Sequence, residues 1–155
     1  MLKWIMGVAV LLTSTGVIAD KNNGVGVDSQ MRYYVINGAY VCEVYPLQQE
    51  EERALGLGMG LLGNAALIIA GEENKKEIIM QLFTTSGEQT EAIKMPTLRM
   101  GKASSSLSAY LPIDKEISKE WGYALIARAN QIAYLVRQGE EGVNITITNC
   151  HASKR

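Results

Sequence analysis

The sequence from Val143 to Cys150, VNITITNC, alternates apolar and polar side chains before it reaches a cysteine. Val143, Ile145 and Ile147 point to one side of an extended chain, and the polar residues between them point to the other. This period of two is the pattern of a half-buried β-strand. The stretch therefore predicts a β-rich fold whose last strand carries Cys150 to the edge of the core.

Cys42 is the only other cysteine among the 155 residues. An even number of cysteines in an exported protein indicates a disulfide, and two cysteines allow one intramolecular pairing. A bridge between Cys42 and Cys150 would close a loop of about a hundred residues, which the chain-entropy model values at about 4–5 kcal/mol. Two free thiols or an intermolecular bridge are the alternatives. The wide spacing disfavours a zinc site and a redox motif.

The first 19 residues have the three parts of a secretory signal. Lys3 supplies a basic lead, the stretch from Ile5 to Ile18 carries no charge, and small side chains precede Asp20. A buried N-terminal helix is the alternative, but the polar, glycine-rich stretch that follows favours a signal peptide over residues 1–19. We therefore expect an exported protein, located in the periplasm, with the extracellular space as the alternative.

The rest of the chain predicts one β-rich domain over residues 31–150, with a flexible lead-in at 20–30 and a C-terminal tail at 151–155. Asn37-Gly38 is a strong hairpin signal, so residues 31–45 are predicted to form a hairpin with Cys42 on its second arm. For residues 114–138, a short helix capped by Asp114 and followed by two strands is favoured over one long helix. The predicted fold class is α+β: a single antiparallel-sheet domain with one or two helices, closed by one disulfide. The strands are predicted at 31–36, 39–45, 76–85, 92–100, 104–111, 123–127, 132–136 and 143–148.

The run from Ala54 to Ala70 carries no charge and four glycines. Its length is at the short limit for a helix that spans a membrane, and its glycines lower helix propensity. We favour a buried, tightly packed segment, either a helix or a strand in which leucine alternates with glycine. A membrane-associated segment and a binding loop are the alternatives. If the run is exposed, it is an interaction patch that could also pair two copies as a homodimer.

The sequence contains no set of potential catalytic residues at a diagnostic spacing. His151 is the only histidine, and it lies four residues before the end of the chain. No glycine-rich stretch has the ending of a phosphate-binding loop, and no pair of carboxylates is favoured by its spacing. The formal net charge of -1 argues against nucleic-acid binding. We therefore expect a protein that is not an enzyme and has no cofactor and no metal site.

Two features point to a protein partner. Glu50, Glu51 and Glu52 form an acidic run that could dock a basic partner. The chain has seven tyrosines against one phenylalanine, and Tyr33 and Tyr45 are the candidates for an interface because tyrosine suits a half-wet surface.

The order of the features (a signal, an early cysteine on a strand and a late cysteine on the last strand) is similar in outline to many small envelope proteins, including lysozyme inhibitors and immunity proteins. No motif matches one of them. The favoured function is an exported, non-enzymatic protein-binding module, in its sharpest version an inhibitor or immunity protein against an envelope-acting enzyme. The alternatives are a carboxylate-based hydrolase of the envelope and a membrane-associated assembly factor that uses residues 54–70.

Overall fold

The computed structural model describes residues 23–47, 60–116, 122–140 and 142–153. These residues form eleven strands, as the alternating side chains predict for most of them. The strands are β1 (Val25–Val27), β2 (Tyr33–Val35), β3 (Gly38–Pro46), β4 (Gly63–Glu72), β5 (Lys75–Thr84), β6 (Ile93–Lys94), β7 (Leu98–Lys102), β8 (Ser108–Pro112), β9 (Gly122–Arg128), β10 (Gln131–Arg137) and β11 (Asn144–Ala152).

Eight strands form a closed antiparallel barrel in the order β3-β4-β5-β7-β8-β9-β10-β11, and β11 returns to pair with β3. Each barrel strand pairs with the next barrel strand along the chain, so the topology is up-and-down. The two-residue strand β6 pairs with β5 ahead of β7. Among the described residues, β1 and β2 pair with each other and form a small second sheet.

The predicted β-rich fold is confirmed, but the described residues do not support the one or two helices of the predicted α+β class. Among the described residues only Lys115 and Glu116 are helical, and residues 117–121 lie outside the described ranges. Asp114 does act as a cap, because its Oδ1 accepts a hydrogen bond of 2.9 Å from the Glu116 backbone N–H. Residues 122–137 of the ambiguous stretch form the hairpin of β9 and β10, so a single long helix is excluded.

Apolar side chains fill the barrel because every strand turns alternate residues inward. The largest fully buried residues include Tyr110, Tyr134 and Leu67. A closed sheet of eight strands is just wide enough for such a packed interior or for one small ligand. The core therefore lies inside the barrel wall.

The predicted disulfide is confirmed, and it joins the two strands at which the barrel closes. Cys42 on β3 and Cys150 on β11 are 108 residues apart in the sequence. Strict alternation from Ile147 would turn Cys150 outward. A β-bulge prevents this, because Asn149 takes a φ of 52° and the register shifts between Thr148 and His151. Cys150 is thereby turned inward, and both cysteines are buried.

Two predictions about the first strands are wrong. Residues 31–45 do not form a hairpin, because β2 pairs with β1 while β3 enters the barrel. Asn37 instead bridges parts of the barrel: its Nδ2 donates to the carbonyl of Gly71 and its Oδ1 accepts from Nζ of Lys76. The predicted flexible lead-in at 20–30 contains β1, in which Val25 is buried. In this segment the burial of valine stabilises a strand, although the glycine-rich composition favours a flexible chain.

The uncharged run from Ala54 to Ala70 is divided. Its second half forms most of β4, which alternates between core and surface, and residues 54–59 lie outside the described ranges. No helix in the described part of the chain is long and apolar enough to span a membrane. The predicted tail at 151–155 also begins inside a strand, because β11 extends to Ala152.

Candidate binding cavity

The small sheet of β1 and β2 covers one end of the barrel. Val25 and Val35 are buried there, and the backbone N–H of Val35 donates a hydrogen bond of 3.1 Å to the hydroxyl of Tyr110 inside the barrel. The same hydroxyl donates to the carbonyl of Glu73 at 2.6 Å. Burial raises the pKa of Tyr110 to about 12. We call this the covered end.

The opposite end contains a cavity of about 600 Å³, within the usual size range for a small-molecule site. Among the described residues, the pairing of the barrel wall is incomplete there. β8 pairs with β9 only from Leu125 to Ala127, so the first residues of β9 have no partner on β8. We call this space the mouth cavity. Its described lining residues are Met80, Leu82, Thr90, Ile93, Lys94, Met95, Pro96, Thr97, Tyr123, Val136, Gln138 and Val143.

The lining offers an apolar surface and few uncommitted polar atoms. Met95, Tyr123 and Val136 are buried, whereas Ile93 and Val143 are exposed at 46% and 39%. We infer that the first three form the floor and the last two the rim. No Asp, Glu or His is among the described lining residues.

Gln138 holds the polar part of the wall in place. Its Nε2 donates to the hydroxyl of Tyr123 at 3.1 Å, and its Oε1 accepts from the backbone N–H of Val143 at 3.1 Å. Thr90 is engaged in the same way, since its Oγ1 accepts from the backbone N–H of Leu82 at 3.0 Å. A ligand in the mouth cavity therefore meets mainly carbon and sulfur atoms.

A second, more polar space of about 410 Å³ adjoins the mouth cavity. Lys75, Ile113 and Asp114 line it together with Pro96 and Thr97, which also line the mouth cavity. We call this space the outer pocket. It brings a lysine and an aspartate to the edge of an otherwise apolar site.

One layer deeper in the barrel lies a tyrosine without a hydrogen-bond partner. Tyr134 is on β10, two residues before Val136, and therefore on the same inward face. Its hydroxyl is buried and makes no hydrogen bond, as is also true of Ser108. Burial raises the pKa of Tyr134, and the neighbouring Tyr123 adds to this effect.

Five residues were predicted for a partner surface. The two of them that the structure describes, Tyr33 and Tyr45, lie on different elements. Tyr33 lies in the small sheet at the covered end and packs partly against the core. Tyr45 lies on β3, where its hydroxyl donates to Oε1 of Glu43 at 2.8 Å, and this bond raises the pKa of Tyr45. Glu50, Glu51 and Glu52 lie outside the described residues.

The predicted cysteines are at the barrel seam, and His151 is an exposed residue of β11 opposite Val41. Within the described ranges, no three or more His, Cys, Asp or Glu residues are grouped so as to hold a metal ion.

The mouth cavity itself was not foreseen from the sequence. Three of its lining residues are inward side chains of strands that alternate between core and surface: Met80, Tyr123 and Val136. In such a strand, a residue that lines a cavity has the same sequence pattern as a residue that fills the core. Pro96 carries the one local signal, because a proline interrupts strand pairing and stands here between β6 and β7. No family model, curated protein or solved structure matches the chain.

Proposed function

We propose that this protein is an exported, non-enzymatic binding protein whose mouth cavity holds one small apolar ligand. The observation that carries the proposal is the mouth cavity: about 600 Å³ of space at one end of the barrel, whose described lining is mainly Met, Leu, Ile, Val and Pro side chains. Ligand sites are typically concave and mostly apolar, with a few placed polar groups.

The proposed compartment is the periplasm. Its support is the buried Cys42–Cys150 disulfide, which suits an oxidising environment, together with the signal predicted at residues 1–19. The proposal of binding without catalysis is supported by the mouth cavity, where the polar atoms of Gln138 and Thr90 are engaged by the protein itself.

The test is calorimetric titration of the purified protein with dodecanol. Wild type should bind one molecule. Val143→Trp should abolish binding, because Val143 is half-exposed at the rim and the indole would enter the cavity. Val41→Trp is the matched control: Val41 is comparably exposed, at 47%, but lies on the outer wall of β3. Absence of dodecanol binding by wild type, or equal loss in both variants, would reject the proposal.

Protein binding remains a second candidate, because one outer face of the barrel is apolar. Ile68 on β4 and Ile79 on β5 are cross-strand partners and are exposed at 51% and 41%. Val41 on β3 adds to this face beside Ala66. Exposed apolar patches commonly mark interaction sites. An inhibitor or immunity protein against an envelope enzyme is the specific form of this proposal.

The second candidate is tested by pull-down from an envelope extract. The double variant Ile68→Glu/Ile79→Glu should lose a partner that both wild type and Val143→Trp retain. A wild-type protein that retains no partner would count against protein binding, and this result would leave the ligand proposal standing.

A further inference from the structure

We propose that Leu82 limits the length of the apolar chain that the mouth cavity accepts, because its side chain separates this cavity from a smaller apolar space at the same end of the barrel. The proposal rests on the proposed function, since it names the class of ligand for the same site. Leu82 is then the residue that determines specificity, and the ligand is a single chain of limited length.

The smaller space measures about 120 Å³, and we call it the side chamber. Val44 on β3 and Ile145 on β11 line it and are buried, whereas Leu62 lines it and is exposed at 47%. We infer that the first two form its floor and that Leu62 forms its rim. No charged residue is among its described lining residues, so the side chamber suits a hydrocarbon chain.

The side chamber and the mouth cavity lie side by side. Ile145, which lines the side chamber, is the direct cross-strand partner of Val136, which lines the mouth cavity. Leu82 lines both spaces, and among their described lining residues it is the one that they share. The two spaces are therefore parts of one apolar region, with Leu82 at the boundary between them.

Leu82 is held where its side chain can form this boundary. It follows the buried Met80 by two residues on β5, so both side chains face inward, and it is packed against the core. Its backbone N–H donates to Oγ1 of Thr90 at 3.0 Å, and its carbonyl accepts from the backbone N–H of Thr90 at 2.9 Å. Its direct partner on β4 is Ala65, whose single methyl group contributes little to a boundary.

A chain that fills the mouth cavity therefore meets the Leu82 side chain before it reaches the side chamber. Leu82→Ala removes the branched end of this side chain and should join the two spaces. The joined space should accept additional methylenes of the same ligand, because Val44 and Ile145 offer them an apolar surface.

The experiment is calorimetric titration of wild type and Leu82→Ala with octanol, decanol, dodecanol and tetradecanol. In wild type, the affinity should rise about fifteenfold at each step of the series, which is the effect of burying two methylenes, and should level off when the mouth cavity is filled. In Leu82→Ala, the rise should continue for at least one further step. The readout is the chain length at which the affinity levels off, so a general loss of contact with the ligand does not mimic the result.

Matched variants separate the boundary from the rest of the lining. Ile93→Ala shortens another aliphatic side chain of the mouth cavity, but Ile93 is not among the described lining residues of the side chamber, so the limiting length should stay that of wild type. Leu82→Ala/Leu62→Trp should restore the wild-type limit, because the indole would enter the side chamber from its rim. Leu82→Val shortens the side chain less and should shift the limit in the same direction if Leu82→Ala does not fold.

The two proposals fail differently. If wild type binds dodecanol but the affinities of wild type and the Leu82 variants follow chain length in the same way, Leu82 is not the boundary and the apolar cavity site stands. An equal shift in Ile93→Ala would also overturn the role of Leu82. If wild type binds none of the four alcohols, the proposed function fails and the inference fails with it.

Discussion

The side-chain amine of Lys76 donates a hydrogen bond of 2.7 Å to Oδ1 of Asn37. Lys76 is 2% exposed at the start of β5, and Asn37 lies in the short link between the small sheet and the barrel. Nδ2 of Asn37 continues the contact to the carbonyl of Gly71 at 2.7 Å. This network attaches the linker to the wall at the covered end.

Asn37→Ala should lower the free energy of unfolding by about 2 kcal/mol, because it leaves the buried Lys76 amine without its acceptor. Lys76→Met should cost less, since it removes the charge and the need for a partner together. In the double variant, Asn37→Ala should then have a smaller effect than it has alone. Urea unfolding of the wild type, the two single variants and the double variant measures the coupling energy between Asn37 and Lys76. Losses of stability that simply add in the double variant would contradict the prediction.

Tyr110→Phe and Tyr134→Phe should have opposite effects on stability. Tyr110→Phe removes an acceptor from Val35 and a donor to Glu73, which should cost about 2 kcal/mol. Tyr134→Phe removes a buried hydroxyl that has no hydrogen bond, and the variant should be at least as stable as wild type. Thermal and urea unfolding measure the order of stability of the wild type and the two variants. An equal loss of stability in the two variants would show that the Tyr134 hydroxyl makes a hydrogen bond.

Stability should fall in alkaline solution. Burial raises the pKa of Tyr110 from 10.0 to about 12 and also raises the pKa of Tyr40 and Tyr134. The folded protein therefore keeps protons that the unfolded chain releases above pH 10, and this lowers the free energy of unfolding as pH rises from 10 towards 12.

Lys76 acts in the opposite direction, because burial lowers its pKa below 10.5. The unfolded chain then holds that proton to a higher pH than the folded protein does. This one lysine opposes the three buried tyrosines and also Tyr45, whose pKa the bond to Glu43 raises, so the net effect of raising the pH should be a loss of stability. Urea midpoints between about pH 9 and about pH 11 measure it, and Tyr110→Phe should flatten the dependence. A wild-type curve that is flat or rises over this range would contradict the prediction.

The bulge at Asn149 should tolerate glycine and resist β-branched residues. Asn149 has a φ of 52°, and its Nδ2 donates to Oε1 of Glu43 at 2.6 Å, which lowers the pKa of Glu43. Asn149→Gly keeps the backbone and loses only the side-chain bond. Asn149→Val should be less stable than Asn149→Gly by about 1 kcal/mol, because a branched side chain clashes in this conformation. Equal unfolding free energies for the two variants would contradict a strained bulge.

Local patterns in the sequence predicted much of the wall of the barrel. The alternation of Val143, Ile145 and Ile147 predicted β11, and the count of cysteines predicted the disulfide. The partners of β2 and β3 could not be predicted, because Asn37-Gly38 reports a turn and not which strands pair across it. Closure of β11 on β3 is likewise a contact between the two ends of the domain, which no local window contains.

The candidate site was harder to predict for a physical reason. Val136 and Leu125 are both inward apolar residues on neighbouring strands, yet only Val136 lines the mouth cavity. The difference arises where β8 stops pairing with β9. The partner surface predicted at Glu50, Glu51 and Glu52 stays a prediction, as do the signal at residues 1–19 and the absence of an enzyme activity.

The disulfide at the seam has a consequence for a protein exposed to proteases. Every turn from β3 to β11 lies between Cys42 and Cys150, inside the covalent ring that the bridge closes. A single cut in any of these turns would open the ring but would leave both fragments in one molecule. The nicked barrel could then keep its strands together as long as the bridge stays oxidised, whereas reduction would release the pieces.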